Sequence, residues 1–320
     1  MSAAPVPAAF APAPASPPFR RIPLASRREG PLLDWWERPG ATTVLFLPGT
    51  MLCPLQYRCV LQALYEQGFS VAALHFSAHG ASRHVWRLRL HDLLQDAQAA
   101  SRWLHAHAGG PIVLCGHSQG GILTLALACG GSCPQGEASV AFAPLSDMAA
   151  FFAVCAVFPQ HDELLSLTRF APFAGQRARL AQAARALAHR LPGLPVPLPC
   201  YLSPYRLLAG MQRPDLPLAG RRLSYPLALL SDLLALRIRE STTHPFFLLG
   251  ARDDALFRPA LLERTLERLA APRKELYLLP SGGHMLLMQR ESAQACAAFL
   301  DRRCRELGLP HHALHPLAKE

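Results

Sequence analysis

Between residues 42 and 144, short apolar runs alternate with longer segments of helical period, and that rhythm leaves few architectures open. "TTVLFLP" (42–48), "FSVAALHF" (69–76), "PIVLCG" (111–116) and "ASVAFAP" (138–144) read as strands. "PLQYRCVLQALYEQG" (54–68), "LHDLLQDAQAASRWLHAH" (90–107) and "QGGILTLALACG" (119–130) read as the helices between and after them. Strands joined by helices of about ten residues or more run parallel, with right-handed crossovers, in a sheet covered on both faces. The rhythm returns with strands at 244–250 and 274–280 and helices at 258–271 and 292–307. From 145 to 240 the chain is proline-punctuated and mostly helical, with helices expected at 176–191 and 226–238.

This pattern predicts a disordered Pro/Ala-rich tail over 1–30, one α/β core over 31–145 and 239–308, a helical cap over 146–238, and a flexible tail over 309–320. A composition that is 51% hydrophobic and 17% charged can bury such a core. The opening residues have neither a basic n-region nor a continuous apolar stretch, so no signal peptide is expected. Met148 to Phe158, the longest charge-free apolar run in the middle, is too short to span a bilayer.

The formal charge is +10, carried almost wholly by arginine. No basic cluster interleaved with aromatics and no known nucleic-acid module accompanies it, so no nucleic-acid partner is expected. Ten arginines against five acids fall between 146 and 238, which suits peripheral contact with an anionic membrane surface. The nine cysteines are odd in number, irregularly spaced and often set in apolar runs, without a CxxC pair or a Cys/His ligand set. Reduced thiols in a cytoplasmic protein without structural metal are expected.

Ligands of open parallel sheets bind beyond the carboxyl ends of the strands. Four short stretches fall there: "LPGT", "GHSQGG", "GARDDA" and "SGGHM". Gly116-x-Ser118-x-Gly120, following a strand and opening a helix, has the context of a nucleophile elbow. The serine takes a strained turn that lifts its hydroxyl clear, and the glycines make room for it. A serine hydroxyl needs a base, and the base an orienting acid. His284, on a glycine-loosened loop after the last strand, is the expected base, while His117 is expected to pack. Asp253, at Gly-x-x-Asp spacing, is the expected acid; Asp254, otherwise a helix cap, is the alternative, and Asp147 stands behind both. The backbone amides of Thr50 and Gln119 are the expected oxyanion donors. This chemistry calls for no cofactor and no metal.

With those residues in view, the chain resembles the α/β-hydrolase superfamily from about 31 to 308. Within it the chain is similar to the monoacylglycerol lipase and lysophospholipase (serine aminopeptidase S33-like) branch. "LPGTMLCPLQYRCVLQALYEQGFSVAALHFSAHGAS" resembles that branch's opening, "MQRPDLPLAGRRLSYPLALLSDLLAL" its cap, and "GGHMLLMQRE" its histidine loop. Pro48, Ser77 and Ala78 depart from its usual histidine, arginine and glycine. The resemblance implies a doubly wound, mostly parallel sheet with a helical cap inserted after the fourth recognisable strand. It also implies a serine ester hydrolase acting through an acyl-enzyme on lipophilic monoesters such as monoacylglycerols or lysophospholipids. An acyltransferase or thioesterase would use the same acyl-enzyme, and a catalytically silent binder is the reading from another class.

Overall fold

The computed structural model describes residues 19–25, 30–79, 85–135, 138–203, 206 and 224–311. Its centre is an eight-stranded sheet formed by β1 (Arg20–Pro23), β2 (Leu32–Trp36), β3 (Thr43–Leu47), β4 (Ser70–His75), β5 (Ile112–His117), β8 (Ala150–Val154), β12 (Phe246–Ala251) and β13 (Lys274–Leu279). Their spatial order is β1-β2-β4-β3-β5-β8-β12-β13. β1 pairs antiparallel with β2 and β2 antiparallel with β4, and every pair from β4–β3 onward is parallel, as strands joined by helical crossovers must be. Every residue of β3, β5, β8 and β12 is buried, which explains their unbroken apolar runs. Helices α1 (Arg58–Glu66), α2 (Leu90–His107) and α3 (Gln119–Cys129) connect the first parallel strands.

Two strands lie away from their expected places. The run at 138–144 becomes β7 (Ala138–Phe142), which pairs antiparallel with β6 (Gly131–Gln135) in a small sheet completed by β11 (Arg237–Ile238). Ser139 gives β7 a polar, exposed strand that could not sit inside a two-faced sheet, whereas "AFFAV" can. The sheet's next strand is therefore β8, inside the segment assigned to the cap, and the cap begins only after it. β1 lies within the expected N-terminal tail. Its Arg21 makes a two-pronged contact with the buried Asp34 of β2, at 2.7 and 2.9 Å. The tail itself, residues 1–18, lies outside the described residues. At the other end the Pro310 carbonyl accepts the Thr42 amide at 2.7 Å, so the chain is pinned past residue 309.

The cap comprises α4 (Asp162–Ser166), α5 (Arg177–Arg190), β9 (Pro195–Pro197), α6 (Leu198–Tyr201), β10 (Ser224–Pro226) and α7 (Leu227–Ala235), with β9 and β10 paired antiparallel. Arg89, at the start of α2, grips the buried Asp232 of α7 through two bonds of 2.7 and 2.6 Å. After β12 and β13, helices α8 (Pro259–Arg268) and α9 (Arg290–Glu306) close the core. The register sets Leu47 beside Gly116, His117 beside Val154, and Ala251 beside Leu279. The carboxyl ends of β3, β5, β12 and β13 therefore deliver their loops to one edge, beneath the cap. Among the described residues, no helix is long and apolar enough to cross a membrane.

Candidate active site

Ser118 sits between β5 and α3 at φ 57° and ψ −116°, a conformation that residues with a Cβ rarely adopt. Its amide donates to the Val154 carbonyl at 2.8 Å, and its own carbonyl accepts the Ile122 amide to start the helix. A Cβ on Gly116 would lie 2.2 Å from the Gly120 carbonyl oxygen, and one on Gly120 would lie 2.2 Å from that of Leu47. Both flanking glycines are thus demanded by contact between strand and helix.

The His284 imidazole is buried and turns Nε2 toward the Ser118 hydroxyl at 3.1 Å. Its Nδ1–H donates to Asp254 Oδ2 at 3.2 Å. That assignment leaves Nε2 free to accept the serine proton. The Phe257 ring stacks on the imidazole, centroids 5.1 Å apart and planes 10° from parallel. The other carboxylate oxygen of Asp254 accepts the amides of Leu256 and Phe257 at 2.7 and 2.9 Å, and the Cys155 thiol donates to Oδ2 at 3.4 Å. Burial works to raise the Asp254 carboxyl, but His284 and the two amides outweigh it and hold the group below the usual carboxylate range.

Asp254 rather than Asp253 therefore faces the histidine, which corrects the sequence-based choice. The reason is a turn. The Asp254 amide donates back to the Ala251 carbonyl, making Arg252 and Asp253 the exposed corner residues and returning Asp254 to the interior. Asp253 instead accepts the amides of Gly282 and Gly283 at 3.1 and 2.8 Å, so it holds the loop that carries His284. Asp147 lies elsewhere, paired with His105.

Thr50, Ser118 and Gln119 line one cavity. As the first residue of α3, Gln119 has an amide with no acceptor within the helix. The amides flanking that of Thr50 are both committed: Gly49's donates to the Tyr57 hydroxyl at 2.9 Å and Met51's to the Tyr225 hydroxyl at 3.0 Å.

His117, expected to pack, also works as a tie. Its Nε2–H donates to the His284 carbonyl at 2.8 Å, and its Nδ1 accepts the Tyr57 hydroxyl at 2.7 Å. Burial, reinforced by the nearby His284, lowers its pKa to about 3 and keeps it neutral. Sequence reading missed Tyr57, Tyr225, Phe257 and Cys155, since one hydroxyl, ring or thiol leaves no periodic signal. Cys115, on β5, is buried, and its thiol is pushed up to about 12 by desolvation. Among the described residues, one His/Cys group converges, His117, Cys155 and His284. The accepting ring nitrogens of both histidines face hydroxyls, His117 Nδ1 that of Tyr57 and His284 Nε2 that of Ser118.

The cavity above Ser118 measures about 390 Å³, within the usual range of ligand pockets, about 300–1,000 Å³. Its walls are overwhelmingly apolar and come mostly from the cap, with Leu165, Phe170, Ala184, Leu187 and Leu230 among them.

Comparison with known proteins agrees with this architecture. No protein of curated function matches the sequence. Among solved structures, a soluble variant of monoglyceride lipase from Saccharomyces cerevisiae, in complex with a substrate analogue, superimposes with a TM-score of 0.62 at 14% identity, covering 95% of this chain and 99% of that one. The monoacylglycerol lipase of Paleococcus ferrophilus gives 0.59 at 17%, covering 86% and 98%. The thioesterase domain from the curacin biosynthetic pathway gives 0.53 at 18%, covering 89% and 99%. These likenesses concern the fold. The sequence model of the alpha/beta hydrolase family matches residues 44–299, and the chain belongs to that family.

Proposed function

We propose that the protein is a serine ester hydrolase that cleaves lipophilic carboxylic monoesters of the monoacylglycerol or lysophospholipid kind. The observation that carries this reading is Ser118 Oγ, 3.1 Å from His284 Nε2, at the floor of an apolar cavity of about 390 Å³. Ser118 attacks the ester carbonyl while His284 takes its proton, and Asp254 stabilises the resulting imidazolium. The amides of Thr50 and Gln119 hold the oxyanion. The carbon–oxygen bond to the alcohol then breaks as His284 returns the proton to the leaving oxygen. Water repeats the sequence on the acyl-enzyme and frees the acid and Ser118.

The apolar walls suit an acyl chain. The exposed Phe170, Phe173, Leu187 and Leu191 on the cap, beside its arginines, suit peripheral contact with an anionic lipid surface. Nine unpaired cysteines suit a reducing compartment, and the same reading puts the enzyme in the cytoplasm. The likeness to a thioesterase domain keeps thioesters as a second substrate class, because the same acyl-enzyme forms from either.

The test is hydrolysis of p-nitrophenyl esters of rising chain length, with acyl thioesters alongside and alternative alcohol acceptors added. Ser118→Ala should lower kcat by roughly 10⁶, and kcat/KM should peak at medium or long chains. A flat chain-length profile would remove the lipid reading. A faster thioester reaction would favour the second class, and diversion of product to added alcohol would indicate acyl transfer. Neither turnover nor labelling of Ser118 by a serine-directed phosphonate would leave a silent binder.

A further inference from the structure

We propose that Tyr225, a cap residue, positions both arms of the oxyanion hole and so makes that hole depend on a seated cap. The proposal rests on the hydrolase reading above, in which the Thr50 and Gln119 amides bind the oxyanion. Tyr225 lies on β10, with its side chain 2% exposed, and its hydroxyl reaches down from the cap onto two loops of the core. The oxygen accepts the Met51 amide at 3.0 Å, and the hydroxyl donates to Gln119 Oε1 at 2.5 Å. One atom thus bridges the residue next to Thr50 and Gln119 itself.

Each arm has support of its own, the Gly49 amide on the Tyr57 hydroxyl and Gln119 in the first turn of α3, and the bridge ties the two together. Met51 has φ 58°, the left-handed region that disfavours a residue with a Cβ, so the loop must be held there by its contacts. Gln119 Nε2 is buried without a hydrogen-bond partner among the described residues, which leaves Oε1 as the anchor of its carboxamide. The third neighbour, His79, sets its Nε2 3.1 Å from the same hydroxyl as a second acceptor for its one proton, which the shorter contact gives to Gln119 Oε1. Its Nδ1–H is spent on the Ser77 carbonyl at 3.0 Å, so Nε2 carries no proton to compete for the Tyr225 oxygen. Oxyanion donors act through preorganised distance, and here that distance is spanned by a group from the cap.

Tyr225→Phe keeps the ring and removes the bridge. The readout pairs turnover of a p-nitrophenyl ester with inhibition by an alkyl trifluoromethyl ketone of matching chain length. Ser118 Oγ adds to the ketone carbon, its proton passes to His284, and the carbonyl oxygen becomes an oxyanion in the hole. The matching straight-chain alcohol occupies the apolar pocket without making that anion. Losing a donor costs roughly 10²–10³ in kcat, and loosening two should cost about tenfold. The expected result is a drop of that size in kcat with an equal rise in the ketone Ki, while KM and the alcohol Ki stay within about twofold.

An unchanged ketone Ki overturns the proposal whatever happens to kcat. So does a uniform loss of all three ligands with a lowered Tm, the signature of general damage. If Tyr225→Phe does not fold, Gln119→Met carries the same test from the other end of the bridge: kcat and ketone affinity must fall together, and a fall in kcat alone overturns the idea. A wild-type protein that neither turns over ester nor binds the ketone refutes the hydrolase reading instead, so the two failures are distinguishable.

Discussion

On the sheet side of the site, the working groups are held through main-chain atoms of the strands and their turns: the Ser118 amide by the Val154 carbonyl, the Asp254 carboxylate by the amides of Leu256 and Phe257, and the His284 carbonyl by the buried His117 imidazole. On the cap side the wall is leucine and alanine from short helices, and contact with the chemistry passes through the hydroxyl of Tyr225. The first arrangement fixes atoms to fractions of an ångström, because strands and their turns cannot shift without breaking the sheet. The second fixes a shape and an apolar character while leaving individual positions replaceable. Chemistry should therefore be intolerant of change on the sheet side, and selectivity adjustable on the cap side.

The largest expected effect tests the sheet side against itself. Asp254→Asn should lower kcat by about 10⁴, the scale seen when a triad loses the acid that fixes its histidine tautomer. Asp253→Asn keeps an acceptor for one of the Gly282 and Gly283 amides, which bond to different carboxylate oxygens, and should cost less than about tenfold. Kinetics of the two variants at one pH decide it: equal losses, or the larger loss at Asp253, would reverse the assignment of the acid.

A smaller effect belongs to the cap. Ala184, on α5, lines the cavity, and Ala184→Phe puts a ring where part of an acyl chain would lie. Displacing about three methylenes at about 0.8 kcal/mol each should lower kcat/KM roughly fiftyfold for long-chain esters. Acetate and butyrate esters should be hydrolysed as before. An equal loss on all chain lengths would mean that the cap wall is as tightly coupled to the chemistry as the sheet wall, and the contrast would fail.

The same contrast governs what the chain reveals before it folds. Ser118 and His284 are legible because the chemistry must follow buried strands, and buried strands announce themselves as runs such as "IVLCG". Asp254 is not, because one hydrogen bond from its amide to Ala251 decides which of two adjacent aspartates turns inward, and spacing along the chain does not encode that turn. β8 is misread for a related reason. "AFFAV" is as apolar as a cap helix, and only pairing with β5 and β12 makes it a central strand. β1 escapes because its stability comes from Arg21 meeting Asp34 across a strand pair, a contact between residues 13 apart. Tyr225 is hidden altogether, since its partners Met51, His79 and Gln119 come from three distant stretches.

The seam between the two walls offers the smallest and most specific test. Asp96, on α2, is buried and accepts the Ser77 amide at 2.7 Å and the Ser77 hydroxyl at 3.0 Å. With Ser77 where the resemblance leads one to expect an arginine, the carboxyl meets a hydroxyl rather than a cation. Burial dominates and raises its pKa to about 7 from 3.8, against the lowering effect of the Ser77 bonds. Between those two values the folded chain keeps a proton that the unfolded chain has lost. The unfolded state then binds fewer protons, so this group makes stability fall as pH rises, with the penalty complete above about pH 7. His79, held neutral with a pKa near 4 by burial, acts in the opposite sense, costing stability as pH falls below the usual histidine range. Comparing Asp96→Asn with wild type cancels that background and isolates the carboxyl. From pH 6 to pH 8, wild type should lose roughly 1 kcal/mol more of unfolding free energy than the variant, read from denaturant midpoints at matched ionic strength. Parallel curves would mean that Asp96 is ionised throughout and that the Ser77 turn, which carries His79 to Tyr225, is held by a charge after all.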